Sequence, residues 1–106
     1  MIASTQTQER RCEWIMGKFL AVHTLPSPTT TEEAAPIAKA VKAGSGADAY
    51  WVGSWLQMNE QGKITKLLCE WDAKDAESIR RVVAKIPQLA TDGIYPMGKV
   101  DAEAYR

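Results

Sequence analysis

The sequence predicts a small α+β protein of the ferredoxin-like type, with elements in the order β-α-β-β-α-β. Two apolar segments flank the short turn NEQG, which is typical of a β-hairpin. One segment with helical spacing of apolar residues precedes this hairpin and another follows it. A short apolar segment lies at each end of the arrangement. We therefore expect a four-stranded antiparallel sheet with both helices on one face.

Composition excludes several functional classes. The 106 residues suit one domain. Because 13 basic residues balance 13 acidic ones, the chain lacks the net positive charge that would attract nucleic acid or an anionic membrane. Apolar segments are far shorter than the roughly 20 residues of a membrane helix. The start of the chain lacks the apolar region of a secretory signal, and two cysteines are too few for a disulfide framework. We expect a cytoplasmic protein with reduced thiols and with no nucleic-acid or membrane partner.

The first half of the domain is predicted from one strand and one helix. Residues 18–24 are apolar and end before two prolines, as a strand does. Thr30 and Glu33 fit a capping box that opens a helix. Pro36 suits a first turn better than a helix interior, so the regular part is expected to begin near Ala35. The segment GSG at residues 44–46 ends the helix.

The second half begins with the hairpin, whose strands are expected at residues 49–58 and 63–71. A tight turn would pair Trp55 with Lys66 and Trp51 with Glu70, which places both tryptophans on one face. Asp72 is the expected cap of a second helix, which ends at Pro87. A last strand is expected within residues 92–100.

One face of the predicted sheet carries no helix. We expect five apolar side chains on it: Leu20, Val22, Trp51, Trp55 and Leu68. An apolar patch of this size is typical of an interface or a binding groove, so we expect a homodimer through this face. Residues 1–17 are interpreted as an N-terminal extension of the domain at 18–106. A longer first strand or an arm that reaches a partner subunit are the alternatives.

Four segments carry a family resemblance: FLAVHTLP at residues 19–26, WVGSW at 51–55, LLCEWDA at 67–73 and GIYPMGKVDAE at 93–103. In their order and spacing, the chain resembles a family of small bacterial ferredoxin-like proteins of mostly unassigned role. One branch of that family is labelled nickel-binding, and the family belongs to the dimeric α+β barrel group. The resemblance implies a dimer with sheets packed face to face, and a transition metal such as nickel as a cofactor. His23 and Cys69 match the family's recurrent histidine and cysteine, although one histidine cannot supply a histidine-rich nickel site from one subunit.

His23 is the only histidine and is expected at a strand end, on the rim of the sheet. It could bind a ligand, bind a metal with Cys69 as a soft second donor, or be held by structural hydrogen bonds. Antiparallel pairing is expected to separate His23 from Cys69 by more than about 10 Å. Cys69 is also interpreted as a buried apolar side chain. Trp51 and Trp55 could stack an aromatic ligand or pack in the core or the dimer interface.

The first functional hypothesis is a dimeric protein that binds a small apolar or aromatic ligand, or a metal, beside the sheet. The ligand-binding residues would be His23, Trp51 and Trp55, and the metal ligands His23 and Cys69. A second hypothesis is a cofactor-independent monooxygenase or isomerase with His23 as its acid or base. A closed cavity of a few hundred Å³ with His23 directed inward would favour it. A third is a purely structural interaction module. No phosphate-binding, dinucleotide-binding or serine-nucleophile motif is present.

Overall fold

The computed structural model describes residues 16–105 and confirms the ferredoxin-like fold class. Four strands form one antiparallel sheet in the spatial order β2-β3-β1-β4. Two α-helices and a final 3-10 helix are the other elements of the described residues. In sequence order the elements are β1 (Gly17–Thr29), α1 (Thr31–Gly44), β2 (Ala49–Met58), β3 (Ile64–Ala73), α2 (Ala76–Val83), β4 (Gly93–Pro96) and the 3-10 helix (Ala102–Tyr105). Residues 1–15 lie outside the described part, so their interpretation as an extension stays a prediction.

Strand β1 is longer than the sequence indicates. It pairs with β3 without interruption from Gly17 opposite Ala73 to Thr24 opposite Lys66. The pairing then breaks and resumes at Thr29 opposite Ile64. Both prolines lie inside this break, where no ladder hydrogen bond is required of their nitrogen atoms. The predicted end at residue 24 was wrong because an irregular stretch extends the strand.

Helix α1 begins at its capping box. The Thr30 hydroxyl accepts a hydrogen bond from the Glu33 amide, and the Glu33 carboxylate accepts one from the Thr30 amide. This cap starts the helix at Thr31, ahead of Pro36, which therefore lies inside the helix. The expected start of regular helix near Ala35 was wrong, since the two reciprocal cap bonds stabilise the turn before the proline.

The hairpin forms where it was predicted, but its register differs. The Asn59 side chain accepts hydrogen bonds from the amides of Gln61 and Lys63, and Gly62 has a φ of 74°, which glycine adopts without strain. Two irregularities in β2, after Trp51 and after Gln57, shift the pairing. Trp51 consequently lies opposite Trp71, and Trp55 lies opposite Leu68.

The irregularity after Trp51 moves that side chain to the other face of the sheet. A bulge adds one residue to a strand and so inverts the alternation of side chains beyond it. Trp51 therefore shares the helix-covered face with Ser54 and Leu56, and the prediction that it lies beside Trp55 was wrong. Leu20, Val22, Trp55 and Leu68 do share the opposite face, as predicted.

Helix α2 is capped by Asp75 rather than by Asp72. The Asp75 carboxylate accepts hydrogen bonds from the amide and the hydroxyl of Ser78 at 2.8 and 2.7 Å. Asp72 instead lies within β3 and pairs with Lys18 at 2.6 Å. The predicted cap was wrong because β3 extends to Ala73. The last strand is also shorter than expected and covers Gly93–Pro96.

The core lies between the sheet and the two helices. Its largest fully buried side chains are Trp71, Ile64, Ile79 and His23. Helix α2 contributes Ile79 and Val83, whereas α1 contributes a single buried residue, Val41. Burial of a large apolar side chain stabilises a fold by about 1.5–3 kcal/mol, so α2 is anchored more strongly than α1.

Candidate functional site

A cavity of about 380 Å³ lies between α1 and the β2–β3 hairpin. Helix α1 contributes small side chains to it, among them Ala34 and Ala38. The strand below contributes backbone at Gly53. Because the alanine side chains of α1 are too small to span the gap between helix and sheet, the space beneath α1 is not filled. The rest of the lining is mainly apolar and includes Ile37, Val41, Trp51, Leu56, Leu67 and Leu89.

The polar atoms that β2 and β3 contribute to the cavity lie together. The Trp51 indole Nε1 donates a hydrogen bond to the Ser54 Oγ at 3.0 Å. Ser54 lies directly opposite Cys69 in the hairpin register. Burial raises the pKa of the Cys69 thiol, and a hydrogen bond with Ser54 opposes this rise. The thiol is therefore neutral near pH 7, and the cavity carries no charged lining residue.

His23 lies inside the core and not on the rim of the sheet. Its exposed fraction is 0%, and its Nδ1 lies 3.2 Å from the carbonyl oxygen of Ala90 and 3.3 Å from the hydroxyl of Thr91. The predicted strand-end position was wrong because β1 continues to Thr29. Burial lowers the pKa of His23, although the bond to Ala90 and the charge of Asp92 raise it. His23 is thus a neutral side chain held by the loop before β4.

His23 and Cys69 are closer than the sequence suggested. His23 pairs with Leu67, and Ala21 pairs with Cys69, so the two side chains are diagonal neighbours on one face of adjacent strands. Such diagonal neighbours lie about 7–8 Å apart, and the expected separation above 10 Å was wrong. The Nε2 atom of His23 has no hydrogen-bond partner within residues 16–105. Over the same residues, no three His, Cys, Asp or Glu side chains form a group that could hold a metal ion.

Trp51 and Trp55 are separated by the sheet. Trp51 lines the cavity beneath α1, whereas Trp55 lies on the opposite face with 74% of its surface exposed. We call that second surface the open sheet face and define it by Leu20, Val22, Tyr50, Val52, Trp55, Leu68 and Tyr95. At one end of it, Lys18 lies 2.6 Å from both Glu70 and Asp72, and these hydrogen bonds raise the pKa of Lys18.

A family model described as "Nickel responsive protein SCO4226-like" matches residues 19–97, from β1 to the residue after β4. The chain belongs to this family. The SCO4226-like match confirms the predicted resemblance to a small family with a nickel-associated branch. No curated protein and no solved structure matches the chain. None of the described helices is long and apolar enough to cross a membrane.

Sequence reasoning missed the cavity and its residue Ser54. One signal for the cavity was present. Alanines recur at helical spacing along α1. Small residues along the helix face that covers a sheet indicate a gap that the neighbouring side chains cannot fill. The bulge that brings Trp51 to this gap leaves no comparable signal in one sequence.

Proposed function

We propose that this protein is a homodimer that binds a small apolar or aromatic ligand in the cavity beneath α1. The cavity itself is the observation that carries the proposal. Protein interiors are close-packed, and few voids larger than a water molecule occur in one domain. A dry apolar cavity of about 150 Å³ is enough to bind benzene, and typical ligand pockets begin near 300 Å³. A volume of about 380 Å³ therefore suits a ligand of two fused rings.

A neutral fluorescent probe tests the ligand part of the proposal. Aminonaphthalene, a neutral molecule of two fused rings, is expected to bind the untagged full-length protein with enhanced fluorescence. Ala34→Phe, which places a large side chain in the cavity, is expected to weaken this binding at least about tenfold. Ala40→Phe is the matched control, since Ala40 lies on the same helix but does not line the cavity. Equal affinity in both variants would contradict the proposed site, and native mass spectrometry of the same preparation would report a ligand carried from the cell.

The homodimer is proposed to form through the open sheet face. Several large apolar side chains there are substantially exposed, Trp55 above all. Contiguous exposed apolar surface on one face is typical of a protein interface. A second copy of this chain presents the same apolar surface, so the two faces match in polarity. We infer a cytoplasmic location for this dimer, where a reduced buried thiol such as Cys69 is expected.

Nickel binding is a second candidate function. The family name and the His23 Nε2 atom without a partner favour it. The described residues of one protomer do not by themselves fit a nickel site, because only His23 and Cys69 offer nearby soft donors. His23 and Cys69 lie on the helix-covered face, opposite to the proposed dimer interface, so further donors would have to come from residues outside 16–105.

Calorimetric titration with nickel tests this candidate. If His23 is a ligand, His23→Ala is expected to weaken nickel binding at least about tenfold, and Cys69→Ser to weaken it as well. Thr91→Ala is the control, since it removes a neighbour of the imidazole but no metal donor. Nickel affinity that is unchanged in His23→Ala would exclude His23 as a ligand.

The enzymatic hypothesis receives no support from the position of His23. A monooxygenase or isomerase of the proposed kind needs an acid or base directed into its substrate cavity. The residues that line the cavity beneath α1 do not include His23. We therefore propose binding rather than catalysis.

A further inference from the structure

We propose that the ligand of this cavity is a neutral fused-ring molecule with one hydroxyl group, which lies against Ser54 and Cys69. This inference rests on the proposed function, because it specifies the ligand of the same cavity. Three observations support it: the position of the polar atoms, their remaining hydrogen-bonding capacity, and the absence of charge in the lining.

The polar atoms lie at one place in an otherwise apolar cavity. Ser54 and Cys69 are opposite each other in the hairpin, and Trp51 donates its indole hydrogen to Ser54 at 3.0 Å. Thr31, the remaining hydroxyl of the lining, lies in the first turn of α1. A ligand whose single polar group is directed at the hairpin would therefore have apolar surface around the rest of it.

The Ser54 hydroxyl has unused hydrogen-bonding capacity. A serine hydroxyl has one hydrogen to donate and two lone pairs that accept. The Trp51 indole uses one lone pair. The group opposite the serine in the hairpin is the Cys69 sulfur, which is only a weak acceptor for the hydrogen. A ligand hydroxyl could accept that hydrogen in place of the sulfur and donate its own hydrogen to the remaining lone pair.

The lining selects against ions. No Lys, Arg, His, Asp or Glu side chain is among the residues that line the cavity. Burial also keeps the Cys69 thiol protonated, so it supplies no negative charge. Because an ionised group without a partner is costly to bury, a carboxylate directed at the hairpin would bind more weakly than a hydroxyl group. Trp51 offers a flat aromatic surface for a ring system.

Calorimetry with naphthalene, naphthol and naphthoate tests the inference on the full-length protein at neutral pH. Naphthol is expected to bind about tenfold more tightly than naphthalene, because one additional hydrogen bond contributes that much affinity. Naphthoate is expected to bind at least about tenfold more weakly than naphthol. Ser54→Ala is expected to abolish the advantage of naphthol and to leave the affinity for naphthalene within about twofold.

The reactivity of Cys69 locates the bound molecule. In a Cys12→Ser background, Cys69 is the only thiol of the chain. Bound naphthol is expected to slow its alkylation by N-ethylmaleimide at least about fivefold, since the ligand would cover the sulfur. The Ala34→Phe variant, in which naphthol binding is weakened, should show less of this protection.

The outcomes separate the two proposals. Equal affinities for naphthol and naphthalene, in both the wild-type protein and Ser54→Ala, would overturn the inference. The proposed function would remain intact, since both compounds would still bind. Naphthoate that binds as tightly as naphthol would also overturn the inference, since the cavity would then accept an ion as well as a hydroxyl group. Binding of none of the three compounds would overturn the inference together with the proposed cavity function.

Discussion

Replacing Trp55 by glutamate is expected to raise the dissociation constant of the homodimer at least about thirtyfold. Trp55 is 74% exposed in one protomer and lies in the open sheet face, next to Leu68 on β3. The few residues that dominate an interface are enriched in tryptophan, lie near its centre and cost about 2 kcal/mol or more when truncated, which is about a thirtyfold change. A carboxylate at this position would also have to lose its hydration against apolar partners. Analytical ultracentrifugation across micromolar concentrations measures the shift.

Tyr105→Glu is the matched control for this experiment. Tyr105 is also aromatic and has a similar exposed fraction of 75%, but it lies in the C-terminal 3-10 helix and not on the sheet. The same charge introduced there should leave the dimer unchanged. Equal dissociation constants for the two variants, or a monomeric wild-type protein at micromolar concentration, would contradict the proposed interface. Circular dichroism of Trp55→Glu would verify that the fold is retained, as expected for a surface position.

The fold was predictable because its strongest signals are local. The capping box at Thr30, the apolar strands of the hairpin and the NEQG turn each specify structure through neighbouring residues. The order of the elements then restricts the topology to a few arrangements. Boundaries were less predictable where a distant contact decides them. Strand β3 continues through Asp72 because its backbone pairs with Lys18 on β1 and with Tyr50 on β2, which no local pattern shows.

The candidate site was less predictable for a related reason. The face on which a strand residue lies follows from alternation only while the ladder is regular. One bulge after Trp51 moved that side chain to the cavity, whereas Trp55 stayed on the open sheet face. The position of His23 depends on how far β1 extends and on the loop that supplies Ala90 and Thr91. These contacts connect residues far apart in sequence, so spacing alone did not indicate them.

The stability of the protein is expected to fall as the pH decreases below about 6.5, and His23 is the expected cause. Burial lowers the pKa of this imidazole in the folded state from its ordinary value of 6.5. Between the folded and the unfolded pKa, the unfolded chain therefore binds one more proton than the folded one. The contribution of His23 to the free energy of unfolding is then fully present above the unfolded pKa. Below that pKa it decreases by at most about 1.4 kcal/mol per pH unit. Below the folded pKa this contribution no longer changes.

Urea denaturation near pH 7.5 and near pH 5.5, at one protein concentration, measures this effect. His23→Gln removes the titrating group and keeps a polar side chain, so its loss of stability between the two pH values is expected to be smaller. The absolute stability of the variant does not enter the comparison, because only the change with pH is attributed to the imidazole. The Asp and Glu residues are the same in both proteins and cancel in the difference. An equal change in both proteins would show that His23 does not govern the acid sensitivity. A smaller change in the variant would show that the buried imidazole is neutral in the folded state, which is the protonation state that nickel binding at Nε2 requires.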